Sequence, residues 1–315
     1  MESRLTGLIA ATYTPMASDG SVALDQIPAI VDHCERSGIS GIYVCGSTGE
    51  GMSLTGDERR AVAEAYTEAA KSGGGGDRMT VIVQVGHNSL AEARQLAEHA
   101  QQIGADVLSA TCPSYFKVND VDGLVDCMAE VAGGAPDLPF YYYHIPALTG
   151  SPIAMTKFLP AAAERIPNLV GMKYTTSMAH EYQACVELEE GRYDCLWGCD
   201  EMMLAGLGIG ARGFVGSTYN IAAGLYLELI NAFDRGDLDE ARRLQSLSVK
   251  MVDTINLVPF HPGMKEVLKM LGLDCGGCRL PQKSLSVAQV KLLRDELEAI
   301  GFFEWRMAAD ATRVR

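Results

Sequence analysis

A lysine near the end of a short apolar run is the residue of this sequence best suited to nucleophilic chemistry. The run at 169–175 reads LVGMKYT, which is typical of a buried strand, and Lys173 is its one charged residue. An ammonium ion is costly to bury, whereas a neutral lysine amine attacks carbonyl groups and forms an imine. The alternative is a lysine whose charged end reaches water from the end of the strand. Lys173 alone does not decide between the two interpretations, so its neighbours must.

A glycine-rich turn, GSTGEG at 46–51, follows another strand-like segment and precedes a helix pattern. Glycines let the backbone approach a ligand closely, and exposed N–H groups together with hydroxyls suit a carboxylate. Ser47 and Thr48 are therefore candidates for binding a 2-keto acid beside a nucleophilic lysine. The alternative is an ordinary tight turn whose hydroxyls bond their own backbone. Thr55 and Glu58 form a capping-box pattern that predicts the start of the next helix.

Polar residues also follow other strand-like segments. Tyr143 could transfer protons if it had a relay partner or a cationic neighbour, since tyrosine is a poor base at neutral pH. The alternative is core packing, which we favour for Tyr141 or Tyr142 because adjacent strand residues face opposite sides. Asp200 and Glu201 could bond sugar hydroxyls, or they could belong to a solvated loop.

The elements that must position these residues alternate between short apolar strands and amphipathic helices. The predicted strands lie at 8–13, 41–45, 80–85, 107–110, 140–144, 169–174, 194–197 and 213–215. Eight strands alternating with helices predict an α/β fold, a closed (β/α)8 TIM barrel with catalytic groups at the carboxyl ends of the strands. After Ser217 only helix patterns remain. We therefore predict a barrel over 1–222 and a C-terminal helical extension over 223–315, packed on the barrel.

The composition argues against two classes of partner. The chain has 315 residues, of which 48% are hydrophobic, enough for a large core. It carries 26 basic and 40 acidic residues, for a formal net charge of -14, and no basic run stands out. We therefore expect no nucleic acid partner. Neither a leader pattern nor an apolar run long enough for a bilayer is found, so we expect no membrane partner.

The cysteines indicate a reducing compartment. There are nine, an odd number that cannot pair completely within one chain, and several fall inside apolar segments. We expect free thiols in a cytoplasmic protein. Cys275 and Cys278 have the spacing of half a metal or redox site, but no second pair or nearby histidine accompanies them.

No glycine motif of the sequence lies in the structural context that cofactor binding requires. The glycine spacing at 208–213 resembles a dinucleotide-binding turn, but it leads into a strand instead of leaving one. The glycine run at 73–76 also precedes a strand, and we interpret it as a flexible turn. His144, at the end of a strand, is interpreted as a structural histidine. We expect neither a metal nor a cofactor.

Together the strand-end motifs resemble the pyruvate-dependent class I aldolase family of dihydrodipicolinate synthase and N-acetylneuraminate lyase. The resemblance covers nearly the whole chain, from about Leu5 to the C-terminal helices. GSTGE at 46–50 is similar to the family's carboxylate loop, and GMK at 171–173 to its Schiff-base strand. YYYHIPALTG at 141–150 resembles the N-acetylneuraminate lyase branch, particularly its animal form. Dihydrodipicolinate synthases usually carry an arginine soon after the proline, where this chain has Ala-Leu.

The resemblance implies a reaction and roles for named residues. The reaction is reversible aldol cleavage of N-acetylneuraminate, a sialic acid, to N-acetylmannosamine and pyruvate. Lys173 would form the imine, Tyr143 would transfer the proton, and Thr175 would help to position the proton-transfer group and the substrate. Ser47 and Thr48 would hold the carboxylate. The residues that would hold the sugar are Gly198, Asp200, Glu201, Gly216 and Ser217.

The resemblance also implies a homotetramer. Tyr115 falls where the family places an aromatic residue near a subunit contact. Two alternatives to the lyase stay open: a sister aldolase or dehydratase that acts on another 2-keto acid, and a non-catalytic sensor of sugar acids on the same fold.

Overall fold

The computed structural model describes residues 4–72 and 79–305, and it confirms the predicted TIM barrel. Eight parallel strands pair in chain order, and the last returns to pair with the first. They are β1 (Gly7–Ala11), β2 (Gly41–Val44), β3 (Thr80–Gln84), β4 (Val107–Ala110), β5 (Phe140–His144), β6 (Leu169–Tyr174), β7 (Asp194–Trp197) and β8 (Gly213–Gly216). All eight predicted strands are present, with small shifts at some ends. The predicted glycine turn at 73–76 lies outside the described residues.

Helices follow the strands and surround the barrel. Between β1 and β8 they are α1 (Ile27–Arg36), α2 (Gly56–Ser72), α3 (Leu90–Gln102), α4 (Val121–Ala132), α5 (Pro146–Thr149), α6 (Met155–Ala163), α7 (Ala179–Glu187) and α8 (Met203–Gly208). After β8 come α9 (Tyr219–Asp234), α10 (Leu238–Ile255), α11 (Phe260–Met270) and α12 (Val287–Ala299). Within the described residues, no helix is long and apolar enough to cross a membrane.

Helix α2 begins at the predicted capping box. The Thr55 N–H donates to Glu58 Oε2 at 2.9 Å, and the Glu58 N–H donates to Thr55 Oγ1 at 3.2 Å. The same carboxylate accepts a hydrogen bond of 2.6 Å from Arg279 Nη1, far along the chain. Chiefly because of this arginine, the pKa of Glu58 is lowered to about 2. A local start signal therefore also anchors the C-terminal part of the chain to the barrel.

Strand alternation separates two apolar clusters. The smaller one fills the barrel interior and consists of Ile9, Ala11, Tyr43, Ile82, Val107, Tyr141, Tyr143, Ile145, Leu196 and Val215. The larger one lies between the strands and the helices, and it contains Tyr142 and Tyr174. Tyr143 and Lys173 are register partners on β5 and β6, so both face the interior. The core-packing interpretation therefore holds for Tyr142, whereas Tyr141 lies inside the barrel and donates to Asp194 Oδ2 at 2.7 Å.

The C-terminal helices share the larger core with the barrel, since Met251, Val267 and Leu293 belong to it. The predicted boundary between 222 and 223 falls inside α9, which departs from helical geometry at Ala222. Helix α9 packs on both β1 and α10. Division of the chain at this point stays a prediction, and residues 306–315 of the predicted extension lie outside the described part.

Candidate active site

A cavity of about 290 Å³ opens at the carboxyl ends of the barrel strands. All ten predicted site residues line it: Ser47, Thr48, Tyr143, Lys173, Thr175, Gly198, Asp200, Glu201, Gly216 and Ser217. They come from the ends of β2, β5, β6, β7 and β8, because parallel strands of a barrel end at one face. The structure thus brings the predicted set together, and the roles of its members stay predictions.

Lys173 is buried, with 5% of its surface exposed. Its Nζ lies 4.1 Å from the centroid of the Tyr143 ring and 4.2 Å from that of Tyr43. The two rings meet edge to face, with centroids 5.7 Å apart. The amino group is therefore flanked by two aromatic faces at the bottom of the cavity, and the alternative of a lysine extending into bulk water does not fit.

Tyr43 is a neighbour of Lys173 that the sequence analysis missed. Its hydroxyl is 2.9 Å from Ser109 Oγ on β4, and Ser109 Oγ donates to the carbonyl of Tyr141 at 2.9 Å. Burial, with a smaller contribution from Tyr143, raises the pKa of Tyr43 well above its ordinary value. Tyr43 is therefore a neutral, anchored ring. Alternation along β2 was the signal that could have identified it as an interior residue.

The predicted carboxylate loop is tightly folded. A Cβ at Gly46 would lie 2.8 Å from the Tyr43 ring, and a Cβ at Gly51 would lie 2.0 Å from the carbonyl oxygen of Cys45. Side chains would not fit at either position, which explains both glycines. Thr48 Oγ1 lies 2.9 Å from Ser217 Oγ, so hydroxyls from the ends of β2 and β8 adjoin each other across the cavity wall.

A buried ion pair, which the sequence analysis also missed, connects this loop to α11. Glu50, in left-handed backbone geometry with φ +54°, places Oε1 2.8 Å from Lys265 Nζ of α11. Both side chains are buried. Lys265 also donates to the carbonyls of Thr14 and Gly277, at 2.9 and 2.6 Å. A lysine on the apolar face of α11 was the available signal, but its partner is 215 residues away.

Thr175 presents a hydroxyl without a partner. Its Oγ1 is buried and has no hydrogen bond among the described residues. A Cβ at Gly198 would lie only 2.2 Å from this oxygen. Glycine at 198 therefore makes room for the hydroxyl, which stays available to a ligand.

Asp200 is held by one oxygen and unpaired at the other. Its Oδ2 accepts from the Thr218 N–H at 2.9 Å and from Thr218 Oγ1 at 2.6 Å. Its Oδ1 is buried without a hydrogen-bond partner among the described residues. A Cβ at Gly216 would overlap Oδ1 at 1.7 Å. Burial raises the pKa of Asp200, and the bonds from Thr218 oppose that rise. Glu201, by contrast, is exposed at the rim.

Two histidines have different surroundings. His261 of α11 lines the cavity and was not predicted; burial lowers its pKa, opposed by Glu50 and by a hydrogen bond with the Ser47 backbone. His144 faces the helices and stacks on Tyr174, with centroids 5.2 Å apart. Burial lowers the pKa of His144 to about 4. A neutral histidine outside the cavity is in keeping with the structural role expected for it.

Tyr115 and the cysteine pair do not line the cavity of their own chain. Tyr115 is 77% exposed and packs edge to face on Phe116, which is 83% exposed. Cys275 is buried and Cys278 half-buried, and both are free thiols.

Comparisons with known proteins agree with this geometry. The Dihydrodipicolinate synthetase family model matches residues 4–300. The N-acetylneuraminate lyase of Xenopus tropicalis is 41% identical over 281 residues, covering 88% of this chain and 90% of the relative. The Proteus mirabilis N-acetylneuraminate lyase structure has a TM-score of 0.91 at 37% identity, covering 95% and 100% of the two chains. The N-acetylneuraminate lyase (sialic acid aldolase) structure from Aliivibrio salmonicida has the same TM-score at 34% identity, covering 95% and 98%. The chain belongs to the dihydrodipicolinate synthetase family.

Proposed function

We propose that this chain is an N-acetylneuraminate lyase, a class I aldolase that reversibly cleaves N-acetylneuraminate to N-acetylmannosamine and pyruvate. The observation that carries the proposal is the buried Lys173 amino group, which shares one cavity with the carboxylate loop at 46–51. The lyases reported above, similar over most of the chain, support the choice of substrate.

The first step is imine formation. In the open-chain sugar acid the Lys173 amine attacks the C2 keto carbon, water leaves, and an iminium ion forms. The substrate carboxylate binds at Ser47 and Thr48. The loop is suited to this because the Glu50–Lys265 ion pair and the close-packed glycines hold its backbone in place. Preorganised donors of this kind spend little free energy on rearrangement during the reaction.

The second step is carbon–carbon cleavage. The iminium withdraws the electron pair of the C3–C4 bond while the C4 hydroxyl gives its proton to the Tyr143 oxygen, and Tyr143 gives its own phenolic proton to the substrate carboxylate, which acts as the relay. The aldehyde N-acetylmannosamine and a pyruvate enamine result. The relay then returns this proton through Tyr143 to C3 of the enamine, and addition of water to the resulting imine releases pyruvate and restores the amine. Tyr143 is suited to its role because its ring lies against Lys173, and the unpaired Thr175 hydroxyl helps to position it and the substrate.

The sugar end of the substrate lies toward β7 and β8 in this proposal. Asp200 and Glu201 accept hydrogen bonds from its hydroxyls, and a bond to a charged acceptor contributes about 1.5–3 kcal/mol. Gly198 and Gly216 keep this wall open, since a side chain at either position would collide with Thr175 or Asp200. Ser217 completes the wall.

Neither a metal nor a cofactor takes part, because the iminium is the electron sink. Among residues 4–72 and 79–305, no three His, Cys, Asp or Glu side chains are grouped as metal ligands. Turnover should therefore survive dialysis against a strong chelator. Loss of activity on chelation, with recovery on adding Zn²⁺, would contradict the imine mechanism.

The test of the proposed function is incubation with N-acetylneuraminate and measurement of released pyruvate. A sister aldolase or dehydratase would form the pyruvate imine yet turn over a different partner substrate, such as an aldehyde condensed with pyruvate. A sugar-acid sensor would bind N-acetylneuraminate without releasing pyruvate. Either result would overturn the lyase assignment. Leu148 favours the lyase, because it lines the cavity at a position near which synthases of this family usually carry an arginine.

We also propose that the enzyme is a cytoplasmic homotetramer. All nine cysteines lie within the described residues and are free, which supports a reducing compartment. The exposed Tyr115–Phe116 ring pair supports a subunit contact, since large apolar side chains seldom stay exposed together without a partner.

A further inference from the structure

A chain of buried hydroxyls connects the Asp200 carboxylate to α9 and α10. Thr218 Oγ1, which contacts Asp200 Oδ2, lies 2.6 Å from the Tyr226 hydroxyl of α9. The Tyr226 hydroxyl lies 2.9 Å from Ser248 Oγ of α10. Tyr226 and Ser248 have no exposed surface, and Thr218 has 1%. All three hydroxyls are therefore shielded from water.

The hydroxyl protons of this chain can be ordered in one direction. An ionised carboxylate only accepts hydrogen bonds, and each hydroxyl has one proton to donate. Thr218 must therefore donate to Asp200, which leaves its oxygen to accept from Tyr226. Ser248 Oγ lies 2.9 Å from the Tyr226 hydroxyl and 3.4 Å from the Asp200 backbone carbonyl, so its single proton is donated to one of these two oxygens. The two aligned donors, Tyr226 and Thr218, end on one carboxylate oxygen, polarise each other and restrict rotation of the carboxylate, and Ser248 holds the Tyr226 hydroxyl in place.

The other carboxylate oxygen is the reason to look for a ligand. Asp200 Oδ1 and the neighbouring Tyr219 hydroxyl are both buried, and neither makes a hydrogen bond of regular geometry among the described residues. A buried unpaired carboxylate oxygen is costly, and a purely structural network would have satisfied it. Oδ1 lies against Gly216, in the wall of the cavity that contains Lys173.

We propose that Tyr226 and Ser248 are positioning residues for substrate selectivity. They hold Asp200 Oδ2 through Thr218, so that Oδ1 is kept in place to accept a hydrogen bond from a hydroxyl of the polyhydroxylated chain. Selectivity for a long sugar acid thereby depends partly on α9 and α10, the helices that follow the barrel. This inference rests on the proposed lyase function and adds to it the residues that orient the sugar-binding acid.

The test compares three buried variants. Tyr226→Phe and Ser248→Ala each remove one of the buried hydroxyls that lead to Asp200. Tyr182→Phe is the matched control, since its buried hydroxyl donates to the Cys195 carbonyl at 2.6 Å, outside the cavity. We expect Tyr226→Phe to lower kcat/KM for N-acetylneuraminate about three- to tenfold, mainly through KM, which corresponds to the loss of one hydrogen bond. The borohydride-trapped pyruvate adduct at Lys173 should form as in the wild type. The control should match the wild type in both measurements.

A double-mutant cycle with Asp200→Asn makes the test specific. If Tyr226 acts through Asp200, Tyr226→Phe should cause no further loss in the Asp200→Asn background. Additive losses would overturn the proposal, as would a Tyr226→Phe enzyme equal to the wild type. Loss of the pyruvate adduct in both Tyr226→Phe and Ser248→Ala would also overturn it, because the effect would then not be confined to the sugar. A wild-type chain that releases no pyruvate from N-acetylneuraminate would instead overturn the proposed function, before any variant is compared.

Discussion

At the scale of single residues, the surroundings of Lys173 distinguish it from an ordinary strand-end lysine. Its amino group contacts the faces of two tyrosine rings, and one of those rings is anchored through Ser109. The amine is thereby held within the cavity, where a keto carbon can be attacked, instead of being paired with a carboxylate.

The first prediction concerns covalent modification. Borohydride added with pyruvate should reduce the imine and leave a stable adduct on Lys173, detectable by peptide mass spectrometry. Lys173→Ala should lack both the adduct and turnover, because no other lysine of the described residues lines the cavity. Lys157→Ala, which changes an exposed lysine of α6, should retain both. An unmodified Lys173 in an enzyme that still turns over would contradict the mechanism.

The second prediction concerns His144 and acid stability. The pKa of this buried histidine is lowered to about 4 in the folded protein, compared with about 6.5 when unfolded. Between these values the unfolded chain binds a proton that the folded chain does not, so stability falls as pH falls. We expect His144 to account for about 2–3 kcal/mol of the loss in unfolding free energy between pH 6.5 and 4.

The measurement is urea unfolding of the wild type and His144→Gln across that pH range. The variant should lose less stability on acidification than the wild type, whatever its stability at pH 7. Parallel pH profiles for the two proteins would contradict the assignment.

At the scale of elements, the carboxylate loop depends on α11, which lies outside the eight-stranded repeat. Lys265 of α11 neutralises Glu50 and ties the loop to the segment around Gly277. The same helix places His261 at the cavity wall. The C-terminal helices are therefore part of the site: α11 supports the end that would bind pyruvate, and α9 and α10 support the end that would bind the sugar.

The third prediction follows from this ion pair. Lys265→Met leaves Glu50 buried without its partner, and breaking a buried pair in this way costs about 3–5 kcal/mol. The double variant Glu50→Gln with Lys265→Met removes both charges and should regain part of that loss. Urea denaturation of the wild type, of each single variant (Lys265→Met and Glu50→Gln) and of the double variant measures these changes in unfolding free energy. If the double variant were as unstable as the sum of the single ones, the charges would not be coupled.

At the scale of the whole molecule, an exposed apolar feature lies on the β4–α4 connection. Tyr115 and Phe116 are largely exposed, whereas most other aromatic side chains of the described residues are buried. A net charge of -14 keeps copies of the chain apart unless a specific contact attracts them. An aromatic pair at such a contact would supply apolar area without adding charge.

The fourth prediction is that this ring pair lies at a contact between subunits of a tetramer. Light scattering coupled to size exclusion should give the mass of four chains for the wild type. Tyr115→Ser with Phe116→Ser should give smaller assemblies, because the contact loses most of its apolar area. Leu292→Ser, which changes an exposed leucine of α12, is the control and should remain tetrameric. A wild-type monomer would contradict the proposed assembly.

Much of this architecture could be predicted from the sequence, because its signals are local. Period-two alternation, apolar runs and turn residues indicate each strand, and parallel strands of one barrel must end at the same face. Those two facts are enough to group Lys173, Tyr143 and the loop at 46–51 from the sequence alone. The capping box at Thr55 and Glu58 was predicted in the same way, from spacing within one turn.

What only the tertiary structure decided are the contacts between distant parts of the chain. Glu50 meets Lys265, Tyr43 packs on Lys173, and Tyr226 reaches Asp200 through Thr218. No local pattern specifies such pairs, because their geometry depends on how helices pack on the barrel. The effects of burial also depend on the fold. Whether an oxygen lacks a hydrogen-bond partner, or a pKa is lowered, depends on which neighbours exclude water from the side chain. The sequence by itself therefore determined that the ten predicted site residues share a cavity, whereas the fold added His261 to its wall and decided which residues are held, paired or left open for a ligand.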